Sequence, residues 1–382
     1  MPDSSICRSA FDSEGASSEG ECRRRRSPGI SALAREFRAD PVGPTGEAVA
    51  TVRGAPGDRP SGSRLVTARR FPGKLQAAHP PSPDVQSERL LGEPVAAEIR
   101  GTVEARVERL VERERAPTLG TVLMSDDPGD RRFVELKHEA CAAVGIATRD
   151  VRVDPTDPAS RLHRAVERLS ADDAVDAVFV QVPLPDHVDT ADVRERIDPR
   201  KDVDCLHPAN LGRLVAGDPR FVPATTAAVV RLLVTYDVRV EGRDVAVVGR
   251  SAVIGRPLAN RLLQDRVPGN ATVTVCHSRT DDPGAVTRGA DVVVTAAGVP
   301  ELVDGSMLSP GAAVVDASAN RREAGTDRGH EVVGDVAFES AREVVSAITP
   351  VPGGIGPVTL AALLENVSLA AERRAGADAP GS

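Results

Sequence analysis

From about residue 90 the chain predicts an α/β protein made of two successive units, each a parallel sheet flanked by helices. Three features carry this expectation. Short apolar runs of strand length alternate with longer segments of helical periodicity, the alternation occurs twice, and the second series contains a glycine-bearing strand-to-helix turn. The expected division is a first α/β domain over 86–222, completed by residues 350–376, and a Rossmann-type nucleotide-binding domain over 223–349. Residues 1–85 are rich in Gly, Pro, Ser and Arg and keep no sustained period of 3.6 or 2. They read as a disordered extension or, preferably, as upstream sequence translated from a misassigned start.

The first series opens with Glu93–Arg115, where Val95, Ile99, Val103, Val107, Leu110 and Val111 recur at helical spacing among charges. Leu119–Met124 is a short apolar strand. Arg131–Val144 is a second helix, with Gly145 as its C-terminal stop. A strand at Val151–Val153, a helix at Ala159–Leu169, a buried strand at Ala177–Val182 and a helix at Thr190–Ile197 follow.

The second series starts with helix Ala227–Thr235 and strand Asp244–Val248. Next come helix Pro257–Gln264 with proline near its first turn, strand Thr272–Cys276 and helix Gly284–Arg288. Strands Asp291–Ala296 and Ala312–Asp316 complete the sheet, and a last helix covers Val358–Arg374 after a Gly/Pro-rich turn.

Composition narrows the function. The longest apolar runs fall well short of the ~20 residues a membrane helix needs, and the Arg23–Arg26 cluster is not followed by the apolar segment of an export signal. Five cysteines are scattered without Cys-x-x-Cys spacing, which predicts a reducing, cytoplasmic setting with no disulfide framework and no zinc site. Residues 1–85 hold 13 Lys/Arg against 10 Asp/Glu, so the net charge of −8 leaves −11 on the rest. An acidic body argues against a nucleic-acid surface. Of 48 basic residues only Lys74, Lys137 and Lys201 are lysines. Arginine can replace lysine on most surfaces but cannot lose its proton near neutral pH. A retained lysine is therefore a candidate for a specific role, with chance survival on the surface as the plainer alternative.

The turn Val248-Gly249-Arg250-Ser251-Ala252-Val253-Ile254-Gly255-Arg256-Pro257 joins a strand to a helix. Glycines there let backbone amides approach a phosphate at the helix N-terminus, which makes Gly249, Arg250, Ser251, Ile254 and Gly255 candidate dinucleotide contacts. Such turns also occur as plain connections in α/β proteins. The next strand ends Cys276-His277-Ser278-Arg279. It lacks the carboxylate that NAD-preferring folds place there for the ribose 2′-hydroxyl. Arg250 and Arg279 could instead meet a 2′-phosphate, with Ser278 donating a hydrogen bond. The expected cofactor is NADP, with NAD possible; the alternative is that both arginines are merely solvated.

These residues resemble the cofactor loop of the bifunctional methylenetetrahydrofolate dehydrogenase/methenyltetrahydrofolate cyclohydrolase family. Four further segments agree in order: Asp126-Asp127-Pro128 with Phe133-Val134 and Lys137, Gln181-Val182-Pro183-Leu184-Pro185, Lys201-Asp202-Val203-Asp204 with His207-Pro208, and Thr349 to Thr359 with its Pro-Gly-Gly-Ile-Gly-Pro core. The resemblance covers about Leu90 to Arg374. It implies a cleft between the two domains that holds a folate substrate, and a homodimer.

The resemblance makes Lys137 the proton acceptor of the hydrolytic step, Gln181 its hydrogen-bond partner, and Asp204 the acid that grips the pterin. To act as a base, Lys137 needs its pKa lowered by burial or a nearby cation. Lys201 is expected to be structural. Pro352, Gly353, Gly354, Gly356 and Pro357 form a folate-binding wall, where glycine lets main chain lie flat against a ligand and proline limits its freedom. Several positions depart from the family. Phe133 stands where a tyrosine is usual, keeping a ring to stack but losing a hydroxyl. Asp130 replaces serine, and Cys205 replaces a glycine, which is strained if that position has positive φ. Ala224 and Thr226 depart in a Pro-Cys-Thr-Pro segment. Ala319 lies in Asp316–Asn320, where the family backbone meets the nicotinamide side. These departures predict a dehydrogenase that outlasts its cyclohydrolase. They also motivate two rival readings: a degenerate paralogue that binds folate or nucleotide without turnover, and an NADP-dependent oxidoreductase that acts on a related pterin.

Overall fold

The computed structural model describes residues 87–323 and 330–377; the reading of residues 1–85 lies outside them. A short strand β1 (Glu88–Arg89) precedes α1 (Gly92–Val111), which buries Val95, Ile99, Val103, Val107 and Leu110 on one face. β2 (Thr118–Leu123) is buried along nearly all its length. α2 (Pro128–Ala143) starts before the expected Arg131, because the Asp127 side chain accepts from the backbone N–H groups of Gly129 and Asp130 and Pro128 sits at the first helical position. Gly145, at φ +77°, ends it.

β3 (Ala147–Arg152) is longer than the sequence suggested. It is a mostly exposed edge strand, so its apolar signal is weak. α3 (Ala159–Ala171), β4 (Ala177–Val180) and α4 (Thr190–Glu195) follow, the last capped by Asp189. α5 (Pro208–Val215) is unforeseen: its eight residues are too few for a period to stand out, although His207 caps it and proline opens it. α6 (Ala224–Thr235) leads into the second series of β5 (Asp244–Val248), α7 (Gly255–Leu262), β6 (Thr272–Cys276), α8 (Pro283–Arg288) and β7 (Val292–Thr295). β8 (Ala313–Asp316), β9 (Asn320–Glu323), β10 (His330–Val333), α9 (Phe338–Arg342), β11 (Ala347–Ile348) and α10 (Ile355–Ala377) complete the chain.

Two parallel sheets result, which is the predicted α/β class. One runs β3-β2-β4 and the other β1-β11-β8-β7-β5-β6, with β9 and β10 as a separate antiparallel hairpin. Each parallel sheet has helices connecting its strands, as crossover connections require. The sequence did not reveal that β1 pairs with β11 and so joins the sheet built by the second half of the chain. α10 returns the other way. It packs along α1 and α6 and reaches α2, β2 and β4. Val95, Ile99 and Val103 of α1 share one apolar core with Leu363, Leu364 and Val367 of α10, and with Val245 and Val247 of β5.

α1 and the turn before α10 touch through bare backbone. The Gly92 N–H donates to Gly353 O at 2.9 Å, and a Cβ on Gly92 would stand 1.8 Å from Gly354 O. Gly92→Ala should therefore lower the unfolding free energy by about 1–3 kcal/mol, the usual cost of overpacking. Urea titration of the variant is the measurement.

Candidate active site

Phe133 and Lys137 lie one helical turn apart on α2 and so share a face. Phe179 on β4 and Gln181 just beyond it are two residues apart and also point to one side. These four side chains meet. Lys137 Nζ donates to Gln181 Oε1 at 3.3 Å and to Phe133 O at 3.4 Å. It stands 4.4 Å from the Phe179 ring centroid and 5.7 Å from that of Phe133. Burial lowers the Lys137 pKa, while the nearby carboxyl groups of Asp204 and Asp130 oppose the shift. Phe133 is 51% exposed, which leaves its ring accessible to a ligand. The only tyrosine in the chain, Tyr236, bonds the Leu91 backbone instead and cannot replace the missing hydroxyl. Phe179, whose ring lies nearest the amine, escaped sequence reasoning; its place two residues before Gln181 on a strand was the available signal.

Asp204 belongs to the same group. Burial pushes its carboxyl up to about 7, the charge of Asp202 adds to the shift, and Lys137 and Arg194 oppose it. It lines a cavity of about 20 Å³ with Val178, Val180, Val182, Leu184 and Arg194, room for about one water. Asp202 holds the loop by accepting from Leu206 N, His207 N and Asn210 Nδ2 at 3.2, 2.8 and 2.8 Å. Cys205 sits at φ +57°, in the left-handed region that a glycine occupies without strain. Its buried Sγ donates to Phe221 O at 3.0 Å. Lys201 is buried and donates to Asp172 O at 2.7 Å, which ties down the end of α3.

The β5–α7 turn folds back on itself. Gly249 has φ +134° and a Cβ there would meet Ala296 O at 2.3 Å; one on Gly255 would meet Gly249 O at 2.1 Å. Ser251 Oγ accepts from Ile254 N at 3.0 Å and Gly255 N at 3.4 Å, so this side chain organises the start of α7. Arg250, Ser278 and Arg279 are exposed, the last two just past the end of β6. Neither guanidinium is paired with a described carboxylate. With no carboxylate at that strand end, these residues suit a phosphorylated ribose better than a bare 2′-hydroxyl.

Asp335, a residue missed from the sequence, governs the loops on the other side. Its fully buried carboxylate accepts from the N–H groups of Ala297, Gly298 and Val299 at 2.6, 3.1 and 2.8 Å. It also takes Ser318 Oγ at 2.6 Å and Asn320 Nδ2 at 2.9 Å. The loops after β7 and β8 are thus held together, with Ala319 exposed between two of the donors. A carboxylate inside the apolar run Val332–Val336 was the available signal.

In the turn before α10, Pro352 and Gly353 are exposed; in the first turn of α10 itself Gly356 is exposed and Pro357 is half-buried. Gly354 is turned inward, buried against Thr349, Pro350 and Gly92. The two halves also meet at Gly129, where a Cβ would stand 2.4 Å from Arg321 Nη2, so the first turn of α2 and the segment after β8 are neighbours. Among the described residues no group of three His, Cys, Asp or Glu side chains could hold a metal, and no helix is long and apolar enough to cross a membrane.

A glycine-crossed turn on one parallel sheet, together with a half-buried amine that α2 holds beside two aromatic rings at the second sheet, defines a two-domain, dinucleotide-dependent α/β enzyme. The comparisons make this particular. Residues 90–204 match the catalytic domain of tetrahydrofolate dehydrogenase/cyclohydrolase, and residues 223–375 match its NAD(P)-binding domain. The bifunctional protein FolD of Haloquadratum walsbyi is 51% identical over 281 residues, 74% of this chain and 90% of its own length. That of Salinibacter ruber is 45% identical over 295 residues, 77% of this chain and 99% of its own. The Trypanosoma brucei methylenetetrahydrofolate dehydrogenase-cyclohydrolase, solved with NADP cofactor and an inhibitor, aligns with a TM-score of 0.72 and 37% identity, over 76% of this chain and 99% of that one. The chain belongs to the tetrahydrofolate dehydrogenase/cyclohydrolase family.

The raised Asp204 pKa has a consequence for stability. Between about pH 4 and about pH 7 the folded protein keeps a proton on Asp204 that the unfolded chain has released, so this residue makes stability fall as pH rises through that window. Asp204→Asn should flatten the decline. Denaturant unfolding of both proteins at pH 5 and pH 7 measures it, and equal slopes would contradict the assignment.

Proposed function

We propose that this protein oxidises 5,10-methylenetetrahydrofolate to the 5,10-methenyl form with NADP and hydrolyses that product to 10-formyltetrahydrofolate. The observation that carries the reading is Lys137 Nζ, half-buried between the Phe179 ring and Gln181 Oε1 with its pKa lowered by burial.

The bound dinucleotide supplies the hydride acceptor. Gly249, Arg250, Ser251, Ile254 and Gly255 would hold its pyrophosphate end, Ser278 and Arg279 its 2′-phosphate, and the backbone near Ala319 its nicotinamide side. Asp204 would take the pterin through paired hydrogen bonds. Phe133 would stack on the folate, and Pro352, Gly353, Gly356 and Pro357 would line its path. Loss of hydride leaves a methenyl cation delocalised over the two folate nitrogens, so for this step the chain contributes mainly orientation.

Hydrolysis asks more of the side chains. Water oxygen bonds to the methenyl carbon and one of its protons passes to neutral Lys137. The carbon–N5 bond then breaks, and the second proton of the water ends on N5. The adjacent substrate cation favours the neutral amine. Gln181 Oε1 holds Nζ toward the bridge carbon. Without a tyrosine hydroxyl at position 133, the amine has one fewer polar partner to fix it. A homodimer in the cytoplasm is the assembly and setting proposed for this enzyme.

The test is a spectrophotometric assay with 5,10-methylenetetrahydrofolate, run in parallel with NADP and NAD. Absorbance from the reduced cofactor and the methenyl product is expected, faster with NADP; no absorbance with either would favour a binder without turnover. Lys137→Ala should cut formyl-product formation at least about 100-fold, and an undiminished rate would end the base assignment. Phe133→Tyr should raise the hydrolytic rate about fivefold, the worth of one hydrogen bond, read as faster decay of added methenyl substrate.

A further inference from the structure

We propose that Asp130 is a positioning residue for hydrolysis, its carboxylate fixing the Gln181 amide so that the amide oxygen faces Lys137. This rests on the reading of Lys137 as the base.

The geometry is a chain of hydrogen bonds that begins at the first turn of α2. Ser125 Oγ accepts from Asp127 N at 3.1 Å and donates to Asp130 Oδ2 at 2.6 Å. The Asp130 backbone N–H donates to Asp127 Oδ1 at 3.1 Å, so both ends of the residue are held. Its other oxygen, Oδ1, accepts from Gln181 Nε2 at 3.4 Å, and the same nitrogen donates to Val182 O at 2.7 Å. Gln181 Oε1 then accepts from Lys137 Nζ.

An amide has nearly the same shape in its two orientations, so only its partners decide which end points where. Here both N–H groups of Gln181 have acceptors, and one of these is charged. In the flipped orientation an amide nitrogen would face an ammonium and the amide oxygen would face a carboxylate, two repulsive contacts. Lys137 makes one side-chain hydrogen bond, to Gln181, and its other bond is to the backbone of Phe133. The orientation of Gln181 therefore decides the direction of Nζ. A serine at position 130 would offer a neutral, shorter group. The carboxylate is the stronger orienting partner, and it stands in a chain whose position 133 has no hydroxyl to share the task.

Asp130 also acts on the charge of Lys137. The groups facing that amine are Asp130 and Cys141 on its own helix and Asp204 on the loop between α4 and α5, itself flanked by Asp202 and by Arg194 of α4. Arg321 approaches the same turn of α2 at Gly129. Cys141 is pushed up to about 12 by burial and stays a neutral thiol. Asp130 favours the ammonium, opposing burial. Removing its charge should lower the Lys137 pKa. Since the base works as the neutral amine, the limb of hydrolytic activity that rises with pH should then move to lower pH.

The experiment measures kcat and KM for hydrolysis of the methenyl substrate against pH in the full-length protein and in Asp130→Asn, Asp130→Ser and Asp130→Ala, with Lys137→Ala alongside. Asp130→Asn and Asp130→Ser should shift the rising limb down by about one pH unit. Asp130→Asn should keep its plateau kcat, because the carboxamide oxygen can still accept from Gln181. Asp130→Ala should add a roughly tenfold fall in plateau kcat with KM little changed, as expected when orientation rather than binding is lost. If Asp130→Ala does not fold, a fall in plateau kcat in Asp130→Ser, whose shorter neutral group orients the amide less, carries the test. An unchanged plateau kcat in Asp130→Ala, or in Asp130→Ser where the alanine variant does not fold, with Lys137→Ala inactive, overturns the role of Asp130 and leaves the base assignment standing. An active Lys137→Ala overturns both.

Discussion

The contact between the start of α1 and the turn before α10 is the constraint from which the rest of the architecture follows. Gly92 lies so close to Gly354 that no side chain fits between them. From that point α10 runs along α1 and α6 and reaches the β3-β2-β4 sheet through α2, β2 and β4. β1, just before α1, adds to the edge of the other sheet. The two ends of the described chain thereby fasten its two sheets to one core. A site assembled from α2, from the end of β4 and from the loops after β7 and β8 needs that fastening, because each part hangs on a different sheet or helix.

Within this frame the proposed hydrolysis turns on opposing influences at Lys137. Burial against Phe179 favours the neutral amine, and Asp130 and Asp204 favour the ammonium. Burial prevails and the pKa is lowered, the direction that the proposed role as general base needs. Asp204 feels the same burial with opposite effect, so amine and carboxyl are both drawn toward neutrality.

Buried carboxylates shape the molecule in a second way. Asp335 and Asp202 each accept from several donors, and in doing so they set the paths of the loops beside the dinucleotide turn and beside Asp204. A buried charge is tolerable only when so satisfied. The cost of breaking such a set is what makes these loops rigid enough to present Ala319 and Asp204 at fixed positions. Cys205 shows the opposite case. It keeps a left-handed conformation despite carrying a side chain, and a buried thiol–carbonyl contact offsets part of the strain.

The sequence by itself determined the α/β class and the bounds of strands such as β5 and β6, and it singled out the glycine turn after β5 and Lys137 as candidates. Those features are written in local patterns: apolar runs of strand length, helical periodicity, glycines at a strand end, and a lysine in a chain almost devoid of lysines. Short or exposed elements such as α5 and β3 left weaker traces, since few residues or a solvated face give no clear period. Only the tertiary structure decided that β1 joins the distant sheet, that Gly354 faces inward, that Asp335 binds two loops at once and that Asp130 reaches Gln181 across 51 residues of sequence. Each of these depends on groups brought close in space from far apart in the chain, and no local spacing encodes that distance.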